Sequence, residues 1–126
     1  MIRVSVWQKV VILLTLTVSV YGCRFTSSLL NKPLSAEEQK FIGSWKNSIG
    51  TSNTSTWSFN DVRNVNYSSK NSVYGDSSSD YLWEAVGTEL VIYKRDTLFL
   101  DEWKRYSYSF EDETALVLNG VSYEKQ

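Results

Sequence analysis

Residues 56–67 contain the stretch that decides the fold: Thr56-Trp57-Ser58-Phe59, a polar turn at Asn60-Asp61, and then Asn64-Val65-Asn66-Tyr67. On both sides of the turn an apolar residue occupies every second position, which is the period of a β-strand with one buried face. Because only a short turn separates the two segments, they are expected to pair as antiparallel neighbours. The stretch therefore predicts a β-hairpin.

The two-residue period recurs along the rest of the chain. Apolar residues alternate at Tyr81, Trp83 and Ala85, at Tyr106, Tyr108 and Phe110, and at Leu116 and Leu118. Short polar turns separate these segments, namely Gly87-Thr88, Arg95-Asp96, Glu111-Asp112-Glu113 and Asn119-Gly120. The last is the dipeptide favoured in type I′ hairpins. The pattern predicts an all-β, antiparallel up-and-down meander, with the non-alternating residues 70–79 as a long polar loop or a loosely paired hairpin.

A short helix is expected in front of the strands. Ser35-Ala36-Glu37-Glu38 is a capping box, in which the Ser35 side chain caps the helix and Glu38 reaches back to the Ser35 backbone. It predicts a helix over residues 36–41 that covers one end of the sheet. Residues 24–34 are rich in Ser and Thr and contain the only proline, Pro33, so they are interpreted as a tether.

The N-terminus has the layout of an export signal. Arg3 and Lys9 precede an uncharged run over residues 10–20, which ends at Gly22-Cys23. The run is shorter than the roughly 20 residues that a membrane-spanning helix requires. A small residue directly before the only cysteine resembles a bacterial lipoprotein signal, in which the cysteine is acylated and becomes the mature N-terminus. The resemblance implies a signal peptide over residues 1–22, a lipidated Cys23 with a tether over 23–34, and one β-domain over 35–126.

Composition excludes several functional classes. The 126-residue chain has 13 basic and 14 acidic residues, and two of the basic ones lie in the predicted signal, so the mature protein is acidic and lacks the basic excess of a nucleic-acid binder. It has no histidine, the commonest general base and metal ligand, and its one cysteine is assigned to the lipid. We therefore expect a protein that is not an enzyme and carries no cofactor.

Acidic residues could in principle bind calcium. They lie at Asp96, Asp101 and Glu102, and again at residues 111–113. Calcium loops place their oxygen ligands on alternate residues around a glycine, and neither group has that spacing. No metal site is predicted.

The mature chain resembles the small lipocalin-like lipoproteins of bacteria. The resemblance rests on the short helix, on Gly43-Ser44-Trp45 as a Gly-x-Trp opening strand, on the aromatic strands, and on the closing segment 121–125. It implies a lipocalin-like β-barrel of about eight strands with a short N-terminal helix, in which Trp45 is a structural plug beneath the helix. A barrel of this size either fills with side chains or holds one small ligand.

The resemblance also sets the functional hypotheses. The candidate lining of a ligand cavity consists of aromatic residues at Tyr81, Trp83, Tyr106, Tyr108 and Phe110. The leading hypothesis is a non-catalytic barrel, anchored to the membrane through Cys23, that binds a small apolar ligand or an envelope protein. The alternatives are an inhibitor of a lysozyme-type hydrolase, acting through the polar loop near residues 70–80, and a structural component of the cell envelope. Arg24 follows the cysteine in place of the aspartate that retains enteric lipoproteins at the inner membrane, which favours the outer membrane.

Overall fold

The computed structural model describes residues 25–49, 53–95 and 98–126. The predicted signal peptide and Cys23 lie outside the described residues. Within the described ranges, no helix has the length and apolar character needed to cross a membrane.

Eight antiparallel strands form a closed barrel in which every strand pairs with its neighbours in sequence and β8 pairs with β1. The predicted all-β up-and-down barrel is therefore confirmed. Two short helices precede it. The elements are α1 (Thr26–Leu30), α2 (Ala36–Gln39), β1 (Gly43–Ile49), β2 (Asn53–Phe59), β3 (Asn64–Asn71), β4 (Gly75–Val86), β5 (Glu89–Lys94), β6 (Asp101–Asp112), β7 (Ala115–Leu118) and β8 (Val121–Lys125).

The two ends of the barrel differ. We call the end that carries α2 and the turns after β2, β4 and β6 the helix end, and the opposite one, with the turns after β3 and β7, the far end. The turn after β7 has positive φ angles at both Asn119 (47°) and Gly120 (81°), as the predicted type I′ turn requires. Trp45 pairs with Trp57, and Trp57 with Tyr67, so alternation places these three rings on the interior face.

Residues 70–79 are not a long loop. β3 and β4 continue through them in unbroken register, from Asn64 opposite Leu82 to Asn71 opposite Gly75. Polar side chains on these strands bond across the pair: Ser69 lies 2.9 Å from Ser77, and Asn66 donates to Ser78 at 2.9 Å. The segment lacks apolar alternation because it extends beyond the packed core, where both faces of the hairpin remain polar. Of the two predicted forms, the paired hairpin is confirmed.

The predicted tether also differs. Part of it forms α1, and Leu29 of that helix is fully buried on the outer face of the barrel against Leu82, Val91 and Tyr93. Strand β5 is therefore covered on both faces, since its alternate residues Leu90 and Ile92 point into the barrel. An apolar run without alternation, as over residues 90–93, is the sequence signature of such a strand.

The second helix forms as the capping box predicts, although it ends at Gln39. The Glu38 backbone N–H donates to Ser35 Oγ at 3.1 Å, and the Ser35 N–H donates to Glu38 Oε1 at 3.0 Å. Directly after α2, the Phe41 ring enters the barrel, and its carbonyl accepts a hydrogen bond from Trp45 Nε1 at 2.8 Å. Trp45 thus lies fully buried at the helix end, in contact with the segment that follows α2 and with Phe110 of β6.

Candidate ligand site inside the barrel

The five predicted lining residues all pack against the interior core, but they divide into two groups. Trp83, Tyr108 and Phe110 lie at the helix end, where each ring contacts Phe41 with centroids 4.8–5.5 Å apart. These aromatic contacts fill the helix end of the barrel, so the three residues belong to its packed core. Tyr81 and Tyr106 lie on the other side of this core, toward the far end.

Toward the far end, four tyrosines from four strands gather in what we call the tyrosine ring: Tyr67, Tyr81, Tyr106 and Tyr123. Burial raises the pKa of the Tyr67 hydroxyl, and charge repulsion from Tyr123 and Tyr81 raises it further, while a hydrogen bond with Ser55 lowers it. Burial likewise raises the pKa of Tyr106, with added repulsion from the other three members. The hydroxyls of Tyr67 and Tyr106 therefore stay protonated at neutral pH and can each donate a hydrogen bond.

Trp57 lies beneath the tyrosine ring with an unsatisfied donor. Its ring contacts Tyr67 with centroids 4.5 Å apart and Tyr106 edge-on at 5.5 Å. The side chain is 2% exposed, and its indole Nε1 has no hydrogen-bond partner among the described residues. A buried polar group without a partner costs on the order of 1–3 kcal/mol, so an unpartnered indole N–H in a native structure calls for an explanation. Trp83 Nε1 also has no hydrogen-bond partner among the described residues, but it lies in the packed core at the helix end.

Above the tyrosine ring the interior face changes from aromatic to serine. Ser55 and Ser69 follow Trp57 and Tyr67 at two-residue spacing, and Ser79 and Ser77 continue the face of Tyr81. Small hydroxyl side chains occupy less volume than the aromatic rings at the preceding positions of this face. We call the surface formed by the tyrosine ring, Trp57 and these serines the far-end cup.

A stacked aromatic pair forms one wall of the cup. The bulge between β5 and β6 leaves Trp103 without a cross-strand partner, and its ring stacks on Tyr81 with centroids 4.3 Å apart and planes 6° from parallel. Lys104 Nζ lies 4.3 Å from the Trp103 ring centroid, in cation–π contact. The wall offers flat apolar surface beside one positive charge.

Sequence reasoning missed several of these residues. Trp57 and Tyr67 share the alternation that defines β2 and β3, so the pattern itself could have included them in the lining. Trp103 could not be placed in that way, because a bulge shifts the alternation. Cys23, the predicted lipidation site, lies outside the described residues.

Two buried charged groups were also missed, and neither belongs to the cup. The Arg63 guanidinium forms a bidentate pair with Glu38, at 2.5 and 3.0 Å, and also donates to the backbone carbonyls of Lys32 and Pro33. Glu84, on the outer face under α1, accepts a hydrogen bond from Tyr93 and lies 3.5 Å from Lys32 Nζ. Both groups tie the N-terminal segment to the barrel wall. Within the described ranges no three His, Cys, Asp or Glu side chains are grouped as a metal would require.

No family model matches the chain, and neither the curated proteins nor the solved structures contain a significant match to it. The class that the fold defines is a small, closed, eight-stranded antiparallel barrel with an aromatic interior.

Proposed function

We propose that this protein is a non-catalytic lipoprotein of the cell envelope, anchored through Cys23, whose lipocalin-like barrel binds a small apolar ligand in the far-end cup. The observation that carries the binding proposal is the unpartnered indole N–H of Trp57, buried beneath the tyrosine ring, in which Tyr67 and Tyr106 keep protonated hydroxyls. Apolar sites with a few oriented polar groups are typical of small-molecule binding. The ligand is expected to combine an apolar or flat body with a carbonyl, hydroxyl or carboxylate oxygen that accepts from Trp57.

Replacement of Trp57 by phenylalanine tests the binding proposal. The ring is retained and the donor is lost, so affinity should fall about 5- to 10-fold, the equivalent of one hydrogen bond. A long-chain fatty acid is a suitable first probe, because it has an apolar body and an acceptor head, and binding is followed by native mass spectrometry. Trp83→Phe is the matched control. It removes the other unpartnered indole N–H, which lies in the packed core at the helix end, and should therefore leave affinity unchanged.

Equal losses of affinity in Trp57→Phe and Trp83→Phe would contradict binding at the cup. The binding proposal would also be contradicted if the wild-type protein does not bind the fatty acid and no apolar molecule copurifies with it from the membrane.

The anchor is tested by replacement of Cys23 by alanine. Acylation through the cysteine sulfur cannot occur in this variant, so the protein should remain unprocessed or become soluble, while the wild type partitions into the detergent phase. Intact mass of the wild type should show an acylated N-terminal cysteine. A processed Cys23→Ala protein that still partitions into detergent would refute the lipoprotein assignment.

A second function, inhibition of a hydrolase such as lysozyme, has one specific observation in its favour. The tip of the β3–β4 hairpin presents Val73 and Tyr74, which are 78% and 90% exposed. Both backbone N–H groups donate to Asn71 Oδ1, at 2.8 and 2.9 Å, so the tip has a defined shape. Such a rigid apolar tip suits insertion into a cleft of a partner. A turbidity assay of lysozyme with and without the protein separates this function from ligand binding.

A further inference from the structure

The outer wall of the barrel carries an apolar patch beside the N-terminal end of the described chain. We call it the α1 patch, and its members are Phe25, Leu30, Val62, Leu98 and Phe99. All five are between 42% and 72% exposed. They make up more than half of the large apolar side chains exposed among the described residues. Single exposed apolar residues need no explanation, but a cluster of them indicates an interaction surface.

The members of the α1 patch are contiguous. The Phe25 and Phe99 rings lie 4.9 Å apart, and the Thr26 N–H donates to the Leu98 carbonyl at 2.9 Å. Leu30 and Val62 both line one surface groove of about 670 Å³, which also borders Thr26. The patch therefore follows α1 along the flank of the barrel, from the loop before β6 to the turn after β2.

We propose that the α1 patch is the face that this protein lays against the lipid bilayer. The inference rests on the proposed acylation of Cys23. Only Arg24 separates Cys23 from Phe25, and two residues span at most about 7 Å. An acyl chain that starts at Cys23 thus keeps Phe25 at the depth of the lipid headgroups, where exposed apolar side chains are removed from water.

The short chain distance between Cys23 and Phe25 favours lipid over a protein partner as the occupant of the α1 patch. Charged groups of both signs surround the patch: Arg95 and Asp80 line the groove, and Lys32 follows α1. The patch therefore has no strong net charge that would favour a partner of opposite charge. A tether of eleven residues would have let the barrel turn freely, but α1 and the buried Leu29 shorten it to the single residue Arg24. The barrel then rests on its β4–β5 flank.

The test places a fluorophore on either side of the barrel in the full, acylated chain. Leu98→Cys lies in the α1 patch, and Ser122→Cys lies on the outer face of the opposite wall, because its neighbour Tyr123 packs into the core and β8 is the strand farthest from β4 around the barrel. Acylated Cys23 has no free thiol, so an environment-sensitive dye labels only the introduced cysteine. The proteins are reconstituted in phosphatidylethanolamine–phosphatidylglycerol vesicles that carry a spin-labelled acyl chain as quencher.

The dye at position 98 should emit at shorter wavelength and be quenched at least about threefold more than the dye at position 122. Equal quenching in protein whose mass shows an acylated Cys23 would overturn this inference and leave the anchor intact. Protein without an acyl group would overturn the anchor and this inference together, leaving ligand binding to be judged by Trp57→Phe. A dye at position 98 that is shielded from aqueous iodide but not quenched by the lipid would assign the patch to a protein or a second copy, and would overturn the lipid assignment.

Discussion

Replacement of Trp45 by alanine is expected to lower the free energy of unfolding by about 3–5 kcal/mol, the usual cost of truncating a buried tryptophan. The side chain is fully buried, its ring contacts Phe110, and its Nε1 donates to the Phe41 carbonyl at 2.8 Å. Truncation would leave a cavity at the helix end and a buried carbonyl without its donor. For a domain of about this size the melting temperature should fall by at least about 12 °C, as thermal unfolding followed by circular dichroism would show.

Two variants bracket the Trp45 result. Trp45→Phe keeps an aromatic ring but loses the hydrogen bond to the Phe41 carbonyl. It should lower the free energy of unfolding by less than Trp45→Ala, because it leaves a smaller cavity. Ser78→Ala, on the exposed β3–β4 hairpin, should change stability by less than about 0.5 kcal/mol. A melting temperature of Trp45→Ala near that of the wild type would refute the role of Trp45 as a plug of the barrel.

Replacement of Arg63 by methionine is expected to be similarly destabilising, by about 3–5 kcal/mol, because it leaves the Glu38 carboxylate buried without its partner. Both side chains are 1% exposed, and the guanidinium holds the carboxylate through two hydrogen bonds. Lysine cannot reproduce this planar fork, so Arg63→Lys should also be destabilised. The double variant Glu38→Gln/Arg63→Met should lose less stability than the two single losses combined, as measured by urea denaturation.

The same pair predicts how stability depends on pH. Burial disfavours the charged form of Glu38, but the hydrogen bonds from Arg63, Ser35 and Ala85 outweigh it and lower its pKa from 4.5 to about 2. A carboxyl group with a lowered pKa stabilises the fold above its unfolded pKa, near 4.5, and loses that contribution as the pH falls toward 2. The contribution amounts to about 3 kcal/mol. Glu38→Gln should flatten this acid limb, and an unchanged acid limb in that variant would contradict the assignment.

Local patterns predicted the strands where one face is buried and the other is wet. Trp57 and Phe59, or Leu116 and Leu118, alternate with polar residues because successive side chains of a strand point to opposite faces. The capping box at Ser35 and Glu38 and the turn at Asn119-Gly120 were equally predictable, because both depend on bonds and φ angles within a few residues.

The same patterns failed where burial did not alternate. Residues 70–79 lack apolar alternation, which is compatible with a loop. They form a paired hairpin that no core covers, and serine and asparagine therefore occupy both of its faces. Residues 24–34 have the composition of a tether and no sustained periodicity, yet Thr26–Leu30 forms α1 because Leu29 is buried on strands far along the chain. A helix of this length has almost no stability of its own.

By itself, the sequence determined an all-β chain of antiparallel neighbours, a capped helix before it, and the absence of histidine and of any second cysteine. Only the tertiary structure decided that the meander closes, because closure depends on the pairing of β1 with β8 across most of the chain. Closure brings Tyr67, Tyr106 and Tyr123 together, and the packing of α2 on the barrel places Glu38 against Arg63. These contacts join residues distant in sequence, whose meeting depends on strand register and on the circumference of the barrel, and neither quantity is encoded in a local period.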